Sequence, residues 1–472
     1  MDKSESTTRQ KALAINLDAT TYGTFAEIGG GQEVARWFFL VGGAAGTVAK
    51  TISAYDMSVS DSLYGPAKRY VSRERLEAML KLEFDQLLQR LDPSRGNTKR
   101  FFAFANTVAT SRTGEPGKGR GWLGVRFQSR PREEPSSIII HAHLLDSTTE
   151  YQQDALGVLG VNLIHGAFIR RASIADLIDS LMDDLSRERI EIDMIKLAGP
   201  TFADVDNRLL SLQLVERGLT DAAMFTADGE VVQPSEVLYK KPILVERGSF
   251  RPATKLTLDL LTRALDQFLQ EPGVAGQKPV VLAEMTLRSL SEREGLGHED
   301  FLARAEILEA LGFDVLISRF EPYYQLAEYL AGYTDCLIGL AVGLPAVPQL
   351  VADERYFTDL PGGVLESAGR LFKRSVKMYV YPTRDRASNE IHTVVQSPIP
   401  APWNHLRDLL LEIGRLVPIH AYDESLLSIH TPDVLERIQR QDPSWEAMVP
   451  AVVAEAIKTK NLFGLKSNSQ RK

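Results

Sequence analysis

The sequence predicts an α/β protein with a mainly parallel sheet wrapped by helices, either doubly wound or partly barrel-like in the TIM manner. Between about residues 190 and 385, short runs rich in Val, Ile and Leu recur without polar alternation, which is typical of strands buried on both faces. Most runs are followed by a helix-like stretch, and helical crossovers indicate parallel pairing. The runs are IDMIKLAGP (192–200), PILVERGSFRP (242–252), PVVLAEMT (279–286), DVLISRF (314–320), DCLIGLAVG (335–343) and VKMYVYP (376–382).

This pattern divides the chain into three predicted regions. Residues 1–170 form an N-terminal α+β region with a glycine-rich segment, and residues 171–385 form the α/β core. Residues 386–472 form a C-terminal helical region, because helical pieces there are separated by proline-containing turns.

Within the N-terminal region, KALAINLD (11–18) predicts a strand, and residues 73–92 predict an amphipathic helix that begins at a serine cap. Three further strand-like runs follow without helices between them, so we expect an antiparallel portion or an edge of the main sheet. These runs cover 99–109, 121–128 and 136–146.

Composition and charge exclude several classes of protein. A net charge of −8 and a pI near 5.7 argue against general nucleic-acid binding, which needs a basic face. One cysteine, Cys336, excludes an intramolecular disulfide and a multi-cysteine metal site. The polar start lacks the apolar core of a secretory signal, and no run approaches about 18 apolar residues. We therefore expect a soluble cytoplasmic protein without nucleic-acid or membrane partners, and its many apolar helices favour a homo-oligomer.

A glycine cluster near the N-terminus is the first candidate binding element. Gly29, Gly30 and Gly31 come directly before QEVARWFF, which predicts the start of an amphipathic helix. Backbone N–H groups at such a start can hold a phosphate group. The alternative is a tight turn followed by a helix that packs closely through small residues.

The segment RGSFRP (247–252) is a stronger candidate, since it follows a buried strand and precedes a predicted helix. Arg247 and Arg251 flank Gly-Ser, and guanidinium groups beside helix N-terminal donors suit a phosphate or carboxylate. We therefore predict that Arg247, Ser249 and Arg251 bind an anionic small molecule. The alternative is that both arginines pair structurally with Glu246 and Glu284.

Three charged residues at predicted strand ends are candidate catalytic groups. Glu284 suits a general base, a ribose contact or a Mg²⁺ ligand, and its alternative role is the buried partner of an arginine. Arg319 and Lys196 suit the stabilisation of developing negative charge.

Other polar residues are weaker candidates. Asn207, in TFADVDNR, suits a phosphate contact, although helix capping explains it nearly as well. His141 and His143 are two residues apart, so in a strand both imidazoles lie on one face and can approach one metal ion. Since no carboxylate stands at a diagnostic spacing, the sequence predicts no metal site.

Several segments resemble a bacterial protein family of similar length, and the resemblance covers nearly the whole chain. They include GTFAEIGGGQEVARWFF, GVNLIHGAF, the run from VDNRLLSLQ to VERGSFRP, LPGGVLESAGRLFK and DPSWEAMVP. Members of the family carry two conflicting names, "TonB-dependent receptor" and "nicotinate-nucleotide adenylyltransferase".

The two names imply different functions. An outer-membrane receptor needs a signal peptide and many strands of alternating hydrophobicity, and the sequence predicts neither. The adenylyltransferase name agrees with an α/β chain, but the motifs G-x-x-x-P-x-H-x-G-H and I-S-x-T-x-x-R are missing, so no catalytic residue is carried over.

The function predicted from the sequence is that of a cytosolic enzyme acting on a phosphorylated or nucleotide-like anionic small molecule. Nucleotidyl or phosphoryl transfer in nucleotide-cofactor metabolism is the candidate reaction, and Mg²⁺ is the candidate cofactor. The alternative is a non-catalytic scaffold or regulatory protein with an α/β frame. A deep pocket that gathers the charged residues favours the enzyme, whereas mutual salt bridges between them favour the scaffold.

Overall fold

The computed structural model describes residues 7–112, 117–291, 297–397, 399, 401 and 403–466. The chain forms two compact units, Met1–Thr220 and Asp221–Lys472. This division differs from the predicted boundaries at 170 and 385. The run at 192–200, predicted to open the α/β core, pairs with the sheet of the first unit, and the region after 385 adds a strand to the sheet of the second unit.

The first unit is built on a mixed sheet. Its strands are β1 (Thr21–Ile28), β2 (Val48–Ile52), β3 (Arg100–Ala109), β4 (Gly119–Phe127), β5 (Ser136–Leu144) and β6 (Ile190–Ala198). Its helices are α1 (Thr8–Leu17), α2 (Glu33–Leu40), α3 (Met57–Tyr64), α4 (Arg73–Arg95), α5 (Thr149–His165), α6 (Ile174–Ser180) and α7 (Asn207–Glu216). The strand order is β2-β1-β3-β4-β5-β6.

Two strand pairs of this sheet are parallel, and the others are antiparallel. β1 runs parallel to β2 and β3, whereas β3, β4, β5 and β6 pair antiparallel in succession. The predicted antiparallel portion is therefore confirmed. One face carries the main core, to which α2 contributes Phe38 and α5 contributes Leu159, and α4 packs Phe84 and Leu87 on the other face.

Two local predictions in this unit have opposite outcomes. The helix predicted at 73–92 is confirmed as α4, and the Ser72 side chain caps its start. The strand predicted at 11–18 is wrong, because this segment lies in α1. Thr7 and Gln10 form a capping box at its start, and Lys11 and Ile15 are buried at helical spacing.

The second unit is built on a largely parallel sheet. Its strands are β7 (Ala222–Phe225), β8 (Val231–Val232), β9 (Ile243–Arg247), β10 (Val280–Thr286), β11 (Asp314–Ser318), β12 (Ile338–Gly343), β13 (Val376–Tyr381), β14 (Thr383–Arg384), β15 (Ile391–His392) and β16 (Leu416–Pro418). Its helices are α8 (Pro234–Leu238), α9 (Lys255–Phe268), α10 (Leu287–Ser291), α11 (His298–Ala310), α12 (Tyr323–Ala331), α13 (Ala346–Ala352), α14 (Gly363–Leu371), α15 (Trp403–Glu412), α16 (Thr431–Gln439) and α17 (Ala451–Lys460).

Eight of these strands form the sheet, in the order β16-β13-β12-β9-β10-β11-β7-β8, and β14 and β15 form a separate two-stranded sheet. Neighbours from β16 to β11 are parallel, and β7 and β8 are antiparallel. The chain runs outward from β9 through β10 to β11, crosses back to β12, and runs outward again to β16. This is the doubly wound order, whose direction reverses between the first and fourth parallel strands. The doubly wound alternative is confirmed, and the barrel alternative is wrong.

Helices cover both faces of this sheet. α12, α14 and α15 contribute Leu326, Leu371 and Leu410 to the core on one face. α9 contributes Leu260 and Phe268 to the core on the other. Among the described residues, no helix combines the length and apolar character needed to cross a membrane.

Candidate ligand site at the carboxyl edge of the second sheet

The doubly wound order places a crevice outside the carboxyl ends of β9 and β12, where sheets of this kind bind ligands. β9 ends at Arg247 and β12 ends at Gly343. The segment 248–254 leads from β9 into α9, and the Thr254 hydroxyl accepts a hydrogen bond from the Thr257 backbone N–H at 3.3 Å. The predicted anion-binding segment therefore lies beside this crevice.

Arg247 and Glu284 are brought together and bind each other. Arg247 Nε donates to Glu284 Oε2 at 2.8 Å, and Nη2 donates to Oε1 at 2.9 Å. The Glu284 side chain is 0% exposed, and the Ser318 hydroxyl donates to it at 2.6 Å. This geometry matches the alternative in which Glu284 is the buried partner of an arginine.

Arg247 has further contacts that hold it in place. Its Nη1 donates to the Glu321 backbone carbonyl at 2.6 Å, and its guanidinium carbon lies 4.5 Å from the centre of the Tyr323 ring. Burial would lower the pKa of Arg247, but the Glu284 carboxylate more than offsets it and raises that pKa. Burial also raises the pKa of Tyr323 to about 12. The guanidinium is thus charged, and each of its three nitrogens donates a hydrogen bond.

Arg251 is also engaged by a carboxylate. Its Nε donates to Asp300 Oδ1 at 2.5 Å, and Arg304 Nε donates to Asp300 Oδ2 at 2.6 Å. Arg304 also donates to the backbone carbonyl of Ser249 at 3.2 Å. The contacts tie the segment after β9 to α11, and the Ser249 residue itself is exposed.

Basic side chains that face water lie at the same edge. Arg319 follows β11 directly and is exposed, and Lys255, the first residue of α9, is exposed as well. Arg288 follows β10 and pairs with Glu321 at 3.1 Å. Arg319 and Lys255 are therefore the cations of this edge that are best placed to meet a ligand.

Glu246, next to Arg247 in β9, is a buried acid without a salt bridge among the described residues. It is 7% exposed, and its Oε2 has no hydrogen-bond partner in the described part of the chain. Its neighbours in register are Ala283 and Ala341, whose side chains are small. Burial raises the pKa of Glu246 well above its usual range, which favours the neutral form. From the sequence, Glu246 is expected only as a partner of Arg247 and Arg251, which pair with Glu284 and Asp300 instead.

A narrow pocket with a volume of about 30 Å³ lies among α12, α13, α14 and α15. Its lining is largely aliphatic and aromatic, and it includes Tyr323, Tyr324, Tyr356, Trp403 and Arg407. This pocket leaves no signal in the sequence, because its walls come from helices that are far apart in the chain. Tyr323 lines this pocket and also contacts Arg247, which pairs with the buried Glu284.

Lys196 and Asn207 belong to the first unit, not to this edge. Lys196 is half-buried on β6. The Asn207 side chain accepts from the Leu197 backbone N–H at 2.8 Å and donates to the Leu197 carbonyl at 3.0 Å. Asn207 thereby ties the start of α7 to β6, which is a structural role.

The glycine cluster at 29–31 also belongs to the first unit. The carboxylate of Glu27 binds backbone N–H groups at the start of α2, the helix that follows these glycines. Glu27 accepts from the backbone N–H groups of Val34 at 3.2 Å and Ala35 at 2.9 Å. Asn106 donates to the same carboxylate at 2.9 Å. Burial raises the pKa of Glu27 to about 7, against the effect of these donors. Because two N–H groups at the start of α2 are already bound, we do not include these glycines in the candidate site.

A second polar cluster lies on the sheet of the first unit. His141 Nδ1 lies 2.6 Å from Asp193 Oδ1, and His143 Nε2 lies 3.0 Å from Asp193 Oδ2. The two imidazoles outweigh the effect of burial and lower the pKa of Asp193. The spacing of the histidines predicts that they lie together, but the sequence gives no sign of the carboxylate, which comes 52 residues after His141.

No protein-family model matches the chain, and no curated protein matches it. Among solved structures, the competence/damage inducible protein CihA from Agrobacterium tumefaciens is 18% identical, with a TM-score of 0.25, and the match covers 33% of this chain and 93% of that one. A CinA superfamily protein from Enterobacter cloacae is 13% identical, with a TM-score of 0.26, covering 35% and 95%. A candidate nicotinate-nucleotide adenylyltransferase from Vibrio parahaemolyticus is 10% identical, with a TM-score of 0.21, covering 48% and 97%. TM-scores this low support no functional assignment.

Proposed function

We propose that the second unit binds a phosphorylated or nucleotide-like anionic small molecule at the carboxyl edge of its sheet, and that the protein is an enzyme acting on this molecule. The observation that carries the proposal is the strand order, which reverses between β9 and β12. Ligands of doubly wound sheets bind in the crevice at this reversal.

The charge and backbone donors at the crevice suit an anion. α9 begins there and is 14 residues long, and the N-terminus of a helix attracts negative charge. Lys255 and Arg319 are exposed at the same edge. In this proposal, these two side chains meet the anionic group, while Arg247 and Arg251 hold the surrounding segments through their carboxylate partners.

A narrow pocket among α12, α13, α14 and α15 would have to widen to receive the rest of such a molecule. Its volume is about 30 Å³, far below the roughly 300–1,000 Å³ that is usual for small-molecule sites. Tyr324, Tyr356 and Trp403 offer aromatic faces to a base or another planar group. Catalytic roles for Glu284, Arg319 and Lys196 stay predictions.

Thermal unfolding of the full-length protein tests the proposal directly. The ligands are ADP, nicotinate mononucleotide and ribose 5-phosphate, each with and without Mg²⁺. A ligand at a hundred times its Kd stabilises the native state by about 2.7 kcal/mol, so we expect at least one compound to raise the midpoint.

The same measurement on variants locates the site. Arg319→Ala and Lys255→Ala should each reduce the shift, because they remove exposed cations of the carboxyl edge. Arg440→Ala is the matched control, since this side chain is 75% exposed on α16. The proposal is overturned if no compound raises the midpoint, or if the shift is the same in all three variants.

A scaffold or regulatory protein is the second candidate function, and one observation favours it. Arg247 pairs with Glu284 and Arg251 pairs with Asp300, so the arginines predicted to bind a ligand have internal partners. A scaffold predicts no response to the small-molecule panel, and mutation of Arg319 would then leave every small-molecule assay unchanged.

A further inference from the structure

We propose that the first unit binds a divalent transition-metal ion between His141, His143 and Asp193. One ligand atom from each of these residues lies within 4.8 Å of the other two. Two imidazoles and one carboxylate form a ligand set that suits Zn²⁺ or Fe²⁺. This site is independent of the function proposed for the second unit.

Local strand geometry builds the site. His141 and His143 alternate with Ala142 in β5, so both imidazoles lie on one face of the sheet. In β6 the register shifts at this level, because His141 pairs with Met194 and Ala142 pairs with Ile192. Asp193 is thus the extra residue of a bulge, and bulges re-aim side chains next to functional sites. The bulge thus places Asp193, the third ligand, beside the two histidines.

Metal binding requires a modest rearrangement of the three side chains. The histidine nitrogens lie 2.6 Å and 3.0 Å from the two oxygens of Asp193, while the three ligand atoms together are spread over up to 4.8 Å. Bonds of about 2.0–2.2 Å from a tetrahedral metal to nitrogen and oxygen separate its ligand atoms by roughly 3.3–3.5 Å. The short nitrogen–oxygen distances therefore widen, and the longest separation closes by about an ångström, when the metal enters.

Burial agrees with a metal centre that keeps one side open. His141 and Asp193 are buried, while the His143 side chain is 30% exposed. The Trp122 ring lies 4.8 Å from the His141 ring, centre to centre, and supports its orientation. Sites with three protein ligands keep a coordination position for water or a substrate, and the exposed side of His143 provides the approach.

The ligand chemistry also says which ions fit poorly. Mg²⁺ prefers oxygen ligands in an octahedral arrangement and keeps several waters, so two imidazoles make a poor magnesium site. The competing explanation is a metal-free hydrogen-bond network in which Asp193 accepts from both histidines. The two explanations differ in their response to added Zn²⁺.

The test is calorimetric titration of Zn²⁺ into the untagged, chelator-stripped full-length protein, with Mg²⁺ as a second titrant. We expect one equivalent of Zn²⁺ to bind and Mg²⁺ to show no binding at this site. His143→Ala should weaken Zn²⁺ binding by about 100-fold or more, because even residues that only support a metal ligand are worth roughly 10- to 100-fold. His405→Ala is the control, since this exposed histidine lies in the other unit.

A spectroscopic measurement keeps the test valid if a variant folds poorly. Co²⁺ added to the wild-type protein should give the visible absorption of a low-symmetry site with nitrogen and oxygen ligands, and Zn²⁺ should displace it. His143→Gln, which retains the size of the side chain on the exposed side, should lose this absorption while keeping the wild-type circular dichroism. If the wild type binds Zn²⁺ no more tightly than the His143 variants, or gives no Co²⁺ absorption, the metal-free network is correct and the proposal fails.

Discussion

Several carboxylates of the two units are satisfied in different ways. In the second unit, the buried carboxylate of Glu284 and the half-buried carboxylate of Asp300 meet arginines. In the first, Glu27 meets backbone N–H groups and an asparagine, and Asp193 meets two histidines. The contrast shows that arginines at strand ends do not by themselves indicate an anionic ligand, because the fold can supply their anion. Strand order and exposed charge are better guides to the site of the second unit.

Removal of an arginine should therefore affect the second unit strongly. Arg247→Ala leaves Glu284 as a buried carboxylate without its ion-pair partner, which costs about 3–5 kcal/mol. Urea unfolding followed by hydrogen exchange in the segment 221–472 measures this loss. In the control, Arg247→Met is combined with Glu284→Met, and the double variant should recover most of the stability. A cost below about 1 kcal/mol for Arg247→Ala would show that the pair is not held as described.

In the first unit, the buried carboxylate of Glu27 should instead make the stability of the protein depend on pH. The folded pKa of Glu27 is about 7, above the ordinary value of 4.5, so the native state holds a proton that the unfolded state releases between these values. Stability contributed by Glu27 is present below about pH 4.5 and is lost as the pH rises through about 7. The difference corresponds to roughly 3 kcal/mol.

Comparison of the wild type with Glu27→Gln isolates this effect. The variant should lose the fall in stability between pH 4.5 and pH 7, as measured by urea unfolding at several pH values. Glu77→Gln is the control, because Glu77 is an exposed residue of α4 in the same unit. Parallel pH profiles for the wild type and Glu27→Gln would contradict this account of α2.

Glu246 sharpens the comparison, since it is the buried acid of the second unit without a salt bridge among the described residues. Its pKa is raised by burial, so its stabilising contribution is present at low pH and is lost as the pH rises through the folded pKa. Glu246→Met should therefore raise the free energy of unfolding by about 1–3 kcal/mol at pH 8, and by less at pH 5. Glu436→Met, at an exposed position of α16, is the control. Equal effects at both pH values would contradict the assignment.

The smallest effect is expected at the exposed edge. Arg319→Ala should change the free energy of unfolding by less than about 0.5 kcal/mol, because exposed side chains contribute little to stability. Urea unfolding of the ligand-free protein checks this. A loss of more than 1 kcal/mol would show that Arg319 has a structural partner, as Arg247 does.

Much of the fold of the second unit followed from the sequence, because buried parallel strands appear as continuous apolar runs. The division of the chain was harder. The run at 192–200 resembles the other apolar runs, but it pairs antiparallel with β5 in the first unit, and pairing partners leave no trace in a local pattern. The strand prediction for 11–18 was wrong for a related reason, because a short apolar run suits a strand and a buried helix equally well.

The candidate sites show the same limit. Arg247 ends β9, whereas Glu284 lies two residues before the end of β10, and register alone decides that they face each other across the two strands. Asp193 could not be linked to His141 from the sequence, because a bulge in β6 brings them together. Side chains that meet through pairing of distant strands are visible only in the fold.

Hydrogen–deuterium exchange of the full-length protein, with and without saturating ADP or nicotinate mononucleotide, tests the central claim most directly. If the carboxyl edge of the second sheet is the ligand site, the ligand should slow exchange in segments 247–257 and 318–324. Slower exchange confined to residues 7–220, or no change with either compound, would contradict the account.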